Sequence, residues 1–121
     1  MMKVIIDVKV GDLKRAIEFY TDKLGLNCRR EEKDWAAISI GDAEIHLYLH
    51  GGINSGLEFY VSDLDMEVAK LKGKGVEFFT DENMPNFINA DENKITEFPW
   101  GRTAFFYDSE GNELALVKDF E

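Results

Sequence analysis

Disulfides, a membrane span and a basic surface are all missing from this chain. Cys28 is the lone cysteine among 121 residues, so no intramolecular disulfide can form, and without a basic partner beside it the thiol reads as an ordinary one. Long uncharged apolar runs are absent too, and Asp7 interrupts the amino-terminal apolar stretch too early for a secretory signal, which makes the cytoplasm the expected location. Bases are scarce: 14 Lys and Arg stand against 24 Asp and Glu, a formal net charge of −10. Such a charge repels phosphate backbones and anionic lipid headgroups, so neither nucleic acid nor a membrane surface is an expected partner. A cationic small molecule is favoured instead, unless the acids serve only solubility. With only two prolines and 45% hydrophobic residues, the chain reads as a single domain over residues 1–121 with a real core.

What is present is a repeat. Val10-Gly11-Asp12-Leu13 opens a helical pattern that ends at Leu24-Gly25, and Val61-Ser62-Asp63-Leu64 opens a second that ends at Lys74-Gly75. In module one, residues 1–50, Val4, Ile6, Val8 and Val10 alternate as the packed face of a strand. Asp12 is placed to cap a helix whose Leu13, Ala16, Ile17, Tyr20 and Leu24 make one apolar stripe. Strands are expected over 27–32, 35–40 and 43–49, the last two joined by a tight Gly41-Asp42 turn. His50 to Gly56 has the composition of a flexible connector. In module two, residues 56–121, Leu57, Phe59 and Val61 alternate, Asp63 caps a helix carrying Leu64, Val68 and Leu71, and Val76 to Phe79 resumes a strand. A polar insertion from Thr80 to about Thr96 contains Met84-Pro85-Asn86-Phe87 and has the length of a lid or binding loop. Strands at Phe105-Phe106-Tyr107 and Leu114 to Val117 flank the turn Asp108-Ser109-Glu110-Gly111-Asn112. Half of such a chain buries too little apolar surface alone, so the modules are expected to pack together with a ligand groove between them.

The order and spacing of Val10-Gly11-Asp12-Leu13, Phe19-Tyr20, Leu24-Gly25-Leu26, Val61-Ser62-Asp63-Leu64-Asp65, Trp100-Gly101-Arg102 and Phe106-Tyr107-Asp108-Ser109-Glu110-Gly111-Asn112 resemble the glyoxalase/bleomycin-resistance/extradiol-dioxygenase group, the vicinal oxygen chelate superfamily. The family's Asp-Pro-Asp-Gly-Asn turn carries Ser109 and Glu110 here, a change expected to affect the turn and not the site. The resemblance implies an α+β fold of two β-α-β-β-β modules forming a curved mixed sheet around a central cavity, and a homodimer. Metal-dependent members hold a divalent ion with His, Gln or Glu at four positions, which fall here at Ile5, His46, Gly56 and Ala115. Only His46 can ligate, and a catalytic ion needs about three protein ligands. No metal or other cofactor is therefore expected, the alternative being a divalent ion held by His46 with displaced oxygens of Glu58 and Glu113. A two-residue shift along a strand moves a side chain by about 7 Å, which disfavours that alternative.

Strand parity then gives the cavity face. If Ile6 and Val8 are packed, Ile5 and Asp7 turn the other way, joined by Trp35, Ala37 and Ser39, by Glu44, His46, Tyr48 and His50, by Glu58, Tyr60 and Ser62, and by Glu113, Ala115 and Val117. Trp100 beside Arg102, with Phe87 or Phe98, is placed to cap the pocket mouth. The expected ligand-binding set is thus Asp7, Trp35, Glu44, His46, Tyr48, Glu58, Tyr60, Trp100, Arg102 and Glu113, a mixture of rings and carboxylates suited to a cationic or aromatic ligand. The plainer alternative is a sheet face that is polar because it meets water, with Trp100 packing locally. The leading expectation is a metal-free small-molecule-binding protein resembling the bleomycin-resistance, antibiotic-sequestration type. One rival is a glyoxalase-related lyase or isomerase with His46 as general base, Arg102 stabilising the oxyanion, or with a rearranged metal site. Another is a module whose cavity is vestigial.

Overall fold

A computed structural model describes residues 2–81, 83 and 88–120. The described residues form an α+β fold with two α-helices and ten strands in two mixed sheets. The residues group into two units. The first runs to Ser55 and includes Asp108–Asn112; the second comprises Gly56–Tyr107 and the chain from Glu113 onward. The strands of the described residues form one sheet of four strands and one of six. No helix among the described residues is long and apolar enough to cross a membrane.

In the first unit β1 (Ile5–Lys9), β2 (Asn27–Glu31), β3 (Trp35–Ile40) and β4 (Ala43–Tyr48) lie in the order β1-β4-β3-β2, with β1 parallel to β4 and the other pairs antiparallel. Ile40 pairs with Ala43, leaving Gly41 and Asp42 as a two-residue loop in which only Gly41 takes a positive φ, 54°. That is the φ pattern of a II′ hairpin turn, whose twist matches the strands it joins. Val8, Val10, Ile38, Ile45 and Leu47 are buried. Val4 is not: it lies before β1 and is 60% exposed, so the packed alternation starts later than its sequence pattern suggests.

Asp12 caps α1 (Leu13–Glu18), its carboxylate accepting from the Arg15 N–H at 3.0 Å. The helix does not continue in α form to Leu24. Phe19–Lys23 is a π-helical turn, closed by the Leu24 N–H on the Phe19 carbonyl at 3.2 Å. Phe19, three residues after Ala16, and Tyr20 are both buried, while Ile17 and Leu24 are only half-buried, so the buried stripe includes Phe19 in place of Ile17 and Leu24.

Residues 108–112 are the second structural surprise in this unit. Buried Asp108 accepts from the Tyr20 hydroxyl at 2.8 Å, from the N–H groups of Glu110 and Asn112, and from Asn112 Nδ2. Asn112 Nδ2 also donates to the Lys9 carbonyl. Burial, followed by the Asp108 charge, pushes the Tyr20 hydroxyl well above the ordinary phenol range, so it stays a donor. Glu110 reaches the start of α1, accepting from the N–H groups of Gly11 and Asp12 at 2.9 and 2.8 Å and from both ends of the Arg15 guanidinium. Its side chain is 1% exposed.

The stretch from His50 to Gly56 is not the free connector its composition suggests. Ile53 pairs with the outer edge of β1, donating to the Asp7 carbonyl at 2.8 Å and accepting from the Lys9 N–H at 3.0 Å. Gly52 makes this approach possible, since a Cβ there would lie 2.7 Å from the Asp7 oxygen.

The second unit contains β5 (Ser55–Tyr60), α2 (Leu64–Gly73), β6 (Phe78–Phe79), β7 (Asn89–Ala90), β8 (Ile95–Phe98), β9 (Gly101–Tyr107) and β10 (Glu113–Asp119), in the sheet order β5-β10-β9-β8-β7 with β6 also on β9. Asp63 caps α2 through the Met66 N–H, and Leu64, Val68 and Leu71 are its buried stripe. Part of the expected insertion is structured. Asp91 Oδ1 accepts from the N–H groups of Asn93 and Ile95, and Lys94 takes a φ of 64° to close the β7–β8 hairpin. Met84-Pro85-Asn86-Phe87, and with it the place of Phe87 at a pocket mouth, lies outside the described residues.

Burial pushes the Glu110 carboxyl up, but the hydrogen bonds from Arg15, Asp12, Ser109 and Gly11 pull it down further, to about 2 against an ordinary 4.5. The folded value lies below the unfolded one, so the group stabilises the fold above its ordinary pKa, and that contribution is lost as the pH falls from there through the folded value. A shift of this size corresponds to about 3 kcal/mol. In Glu110→Gln that contribution is missing at every pH. Urea midpoints of the two proteins are expected to differ most near about pH 7 and to converge toward about pH 2.

Candidate functional site

Register places side chains on sheet faces. In the first unit Ile5 pairs with Glu44, Asp7 with His46 and Lys9 with Tyr48, while Trp35, Ala37 and Ser39 pair with Tyr48, His46 and Glu44. Directly paired residues share a face, so Asp7, Trp35, Glu44, His46 and Tyr48 stand together. The Trp35 and His46 rings are 5.0 Å apart and tilted by 32°. His50 lies beyond β4, exposed, with Nε2 3.4 Å from Asp34 and its ring edge-on to Tyr48.

A feature that alternation does not anticipate sits on β2. Cys28 pairs with Ile38 and Arg30 with Ala37, a register shift that marks a bulge at Arg29. One extra residue breaks the two-residue period, and consecutive arginines reach the same face. Arg29 grips Glu44 through two bonds of 2.8 and 3.0 Å. Arg30 pairs with Glu32 and sits 5.3 Å over the Trp35 ring.

Glu44 departs from its expected role. The expectation was a carboxylate projecting into a cavity to attract a cation, but Glu44 is 2% exposed and already satisfied. Arg29, Lys3 and His46 all hydrogen-bond to it, His46 through Nε2 at 2.9 Å. The Arg29 guanidinium foremost, then Lys3 and His46, hold this carboxyl far below the usual range. Asp7 is the acid of the set that stays exposed, its Oδ1 3.9 Å from His46 Nδ1. A groove of about 300 Å³ runs along the Glu44 end of the face, lined by Lys3, Arg29, Ser39, Asp42, Ala43 and Glu44 among others.

In the second unit Glu113, Ala115 and Val117 share a face with Tyr107, Phe105 and Thr103, and Phe79 stacks on Tyr107 at 4.3 Å on that side. Phe105 and Tyr107 were read only as part of a strand, and the pairing that adds Phe79 has no local signal in the sequence. Arg102 is elsewhere. It pairs with Lys118 and Glu97, on the opposite face from Ala115, where it makes a bidentate ion pair with Asp65 of α2 at 2.8 and 3.0 Å. The expected place at a pocket mouth therefore fails for Arg102, which shares the parity of buried Ala104 and Phe106 on the helix-covered side of β9, whereas Trp100 lies before the strand. Hydrogen bonding to Arg102 lowers the Asp65 carboxyl, and the guanidinium is raised in turn. A groove of about 500 Å³ on this side is lined by Asn89, Ala90, Asp91, Ile95, Glu97 and Arg102. Trp100 is 62% exposed and stacks on Phe98 at 4.8 Å, Tyr60 is exposed and accepts from Lys118 Nζ at 2.9 Å, and Glu58 is exposed.

A family model described as Glyoxalase/Bleomycin resistance protein/Dioxygenase superfamily matches residues 4–116. The chain belongs to this superfamily. Bleomycin resistance proteins of Geobacillus stearothermophilus and Staphylococcus aureus are 38% identical to it over 48 residues, 40% of this chain and 36% of theirs. The chain thus matches about a third of the length of these curated relatives. The crystal structure of TnmS3, an antibiotic binding protein from Streptomyces sp. CB03234, superposes with a TM-score of 0.75 at 23% identity, covering 99% of this chain and 97% of that one. A lactoylglutathione lyase from Agrobacterium tumefaciens superposes with a TM-score of 0.71 at 16% identity, covering 96% and 92%. At these identities the likeness shows the fold alone.

Superfamily membership raises the question of a divalent ion, and the donor set does not fit one. Ile5 and Ala115 offer only carbon, Gly56 has no side chain, and His46 directs one ring nitrogen to Glu44. Among the described residues no group of three or more His, Cys, Asp or Glu side chains is arranged to hold a metal.

The two arginines of the bulge separate buried from exposed pairing. Arg29→Ala strips the main partner from a buried carboxylate, whereas Arg30→Ala removes an exposed pair worth at most about 1 kcal/mol. Thermal denaturation is expected to show a clearly larger drop in midpoint for Arg29→Ala than for Arg30→Ala, and equal drops would mean that Glu44 does not depend on Arg29.

Proposed function

We propose that this superfamily member is a metal-free small-molecule-binding protein of the sequestration type, a cytoplasmic homodimer that takes a cationic or aromatic ligand on the Trp35–His46 face of its first unit. The observation that carries the reading is the ring pair itself, flanked by exposed Asp7 on the same sheet face. Aromatic faces bury apolar area and attract positive charge, and Arg30 over Trp35 is an internal example of a cation using that ring. The bleomycin resistance proteins among its relatives and the antibiotic binding protein among its structural neighbours support the same type of activity.

A second reading, a lyase or isomerase with His46 as general base, draws on the Glu44–His46 hydrogen bond, which orients an imidazole as base–orienter pairs do. A base without an oxyanion partner is slow, because stabilising the developing negative charge lowers the barrier more than the proton transfer does. Arg102, the side chain considered for that role, is committed to Asp65. Turnover of a thiol-adduct substrate by protein purified without chelators would favour this second reading.

Binding is read from Trp35 fluorescence in a Trp100→Phe background, which leaves one tryptophan. Bleomycin or planar aromatic cations are expected to quench it, and calorimetry should show binding weakened about tenfold or more in Trp35→Ala. Because Arg30 competes for the same ring, Arg30→Ala is expected to tighten binding of a planar cation by a few-fold, about what one exposed cation–π contact is worth. No response across a broad panel of such compounds would overturn the sequestration reading.

A further inference from the structure

Glu44 takes three hydrogen bonds from two cations, and each cation keeps N–H groups in reserve. Arg29 meets it side-on, with Nε on one oxygen at 2.8 Å and Nη2 on the other at 3.0 Å. A guanidinium carries five N–H donors in one fixed plane, so its end-on edge, made by Nη1 and the second Nη2 proton, is left over. Lys3 gives one of its three protons to Glu44. Among the described residues no other acceptor bonds to either side chain, and none bonds to the Ser39 hydroxyl.

These spare donors border one hollow, the groove of about 300 Å³ at the Glu44 end of the face. The Lys3 and Arg29 side chains are each 48% exposed, so a ligand can reach them, while the Glu44 side chain, 3% exposed, holds them from within. Its charge offsets one of the two cations. Asp42, exposed in the loop between β3 and β4, is the other acid on the groove and opposes an anion. The remaining charges of the face lie farther along it: Asp7 and Lys9 opposite His46 and Tyr48, and Arg30 on Glu32 and the Trp35 ring.

We propose that this groove is an oxyanion site, in which a carboxylate or phosphate group takes the end-on fork of Arg29, a proton of Lys3 and the Ser39 hydroxyl. The site goes beyond the sequestration reading and is separate from the ring pair, since Ser39 and Trp35 stand four residues apart on β3, about 13 Å along the strand. Hydrogen bonds from a forked guanidinium to an oxyanion are among the strong ones, and Arg29 is already fixed in one orientation, so little side-chain freedom is lost on binding. A cation meets the same outward donors and is repelled. The overall charge of −10 opposes any anion at long range, but at 0.1 M salt that field is screened beyond about 10 Å. Glu44 is a positioning residue here, acting on the anion only through Arg29 and Lys3.

Inorganic phosphate and acetate, titrated separately into nitrogen-labelled protein at constant ionic strength, test the site. Saturable shifts of the Arg29 Nε resonance and of the Ser39 and Ala43 amides are expected, and the anion that saturates first tells a phosphate group from a carboxylate. The midpoint should rise about threefold or more in Lys3→Ala and about twofold in Ser39→Ala, and fall about twofold in Asp42→Asn, which removes the opposing charge. Lys3 and Asp42 are exposed, so these variants should fold, and an unchanged amide pattern in the free protein checks this. No saturation by either anion up to about 50 mM, or a midpoint unchanged in Lys3→Ala, would overturn the site. So would anion quenching of Trp35, in the Trp100→Phe background, with the same midpoint as the amide shifts, because it would put the anion on the ring pair. Quenching of Trp35 by bleomycin reads the sequestration proposal independently, so either can fail while the other stands.

Discussion

Two carboxylates in the turn 108–112 organise the first unit from the far end of the chain. Asp108 gathers the Tyr20 hydroxyl, the Asn112 amide and two backbone N–H groups around buried oxygens. Glu110 supplies the start of α1 with acceptors for its unpaired N–H groups and a fork for Arg15. An isolated helix of six residues followed by one π turn would be marginal in water. Its position on the sheet therefore depends on side chains about a hundred residues downstream, and the β1 end that carries Asp7 is held by the same turn through the Lys9 carbonyl. Substituting glutamate into the family's turn is thus a structural change with consequences for the helix it reaches.

Net charge describes the whole surface and says little about one face. A charge of −10 suggested acids waiting for a cation, yet the most buried acid on the candidate face is surrounded by cations. Removing a carboxylate from water costs several kcal/mol unless partners replace the lost hydration. Arg29, Lys3 and His46 do so for Glu44, and this satisfaction takes it out of the pool of ligand-seeking groups. What remains for recognition is smaller and more directional: one exposed acid, one oriented imidazole and one indole.

Features governed by local rules were legible in the sequence. Asp12 and Asp63 cap helices, Gly41-Asp42 turns a hairpin, and period-two alternation brought Asp7, Trp35, Glu44, His46 and Tyr48 to one face. What escaped depends on insertions and on partners distant in sequence. The π turn and the bulge each add a residue to a regular period, and nothing in Phe19-Tyr20 or Arg29-Arg30 announces which residue is the extra one. The direction of Arg102 follows from its pairing with Lys118 across β9 and β10, which its neighbour Trp100 does not reveal. Gly51-Gly52 had the composition of slack chain, yet the missing Cβ serves close backbone contact with β1.

The bulge in β2 makes the electrostatics of the face a matter of chain length. Deleting a single residue there would restore regular pleating and swing one guanidinium to the reverse of the sheet, altering both the lock on Glu44 and the cover on Trp35 without exchanging any other amino acid. The charge pattern of this face can therefore change through a single insertion or deletion as well as through point substitution. Comparisons that score only aligned identities would overlook that route.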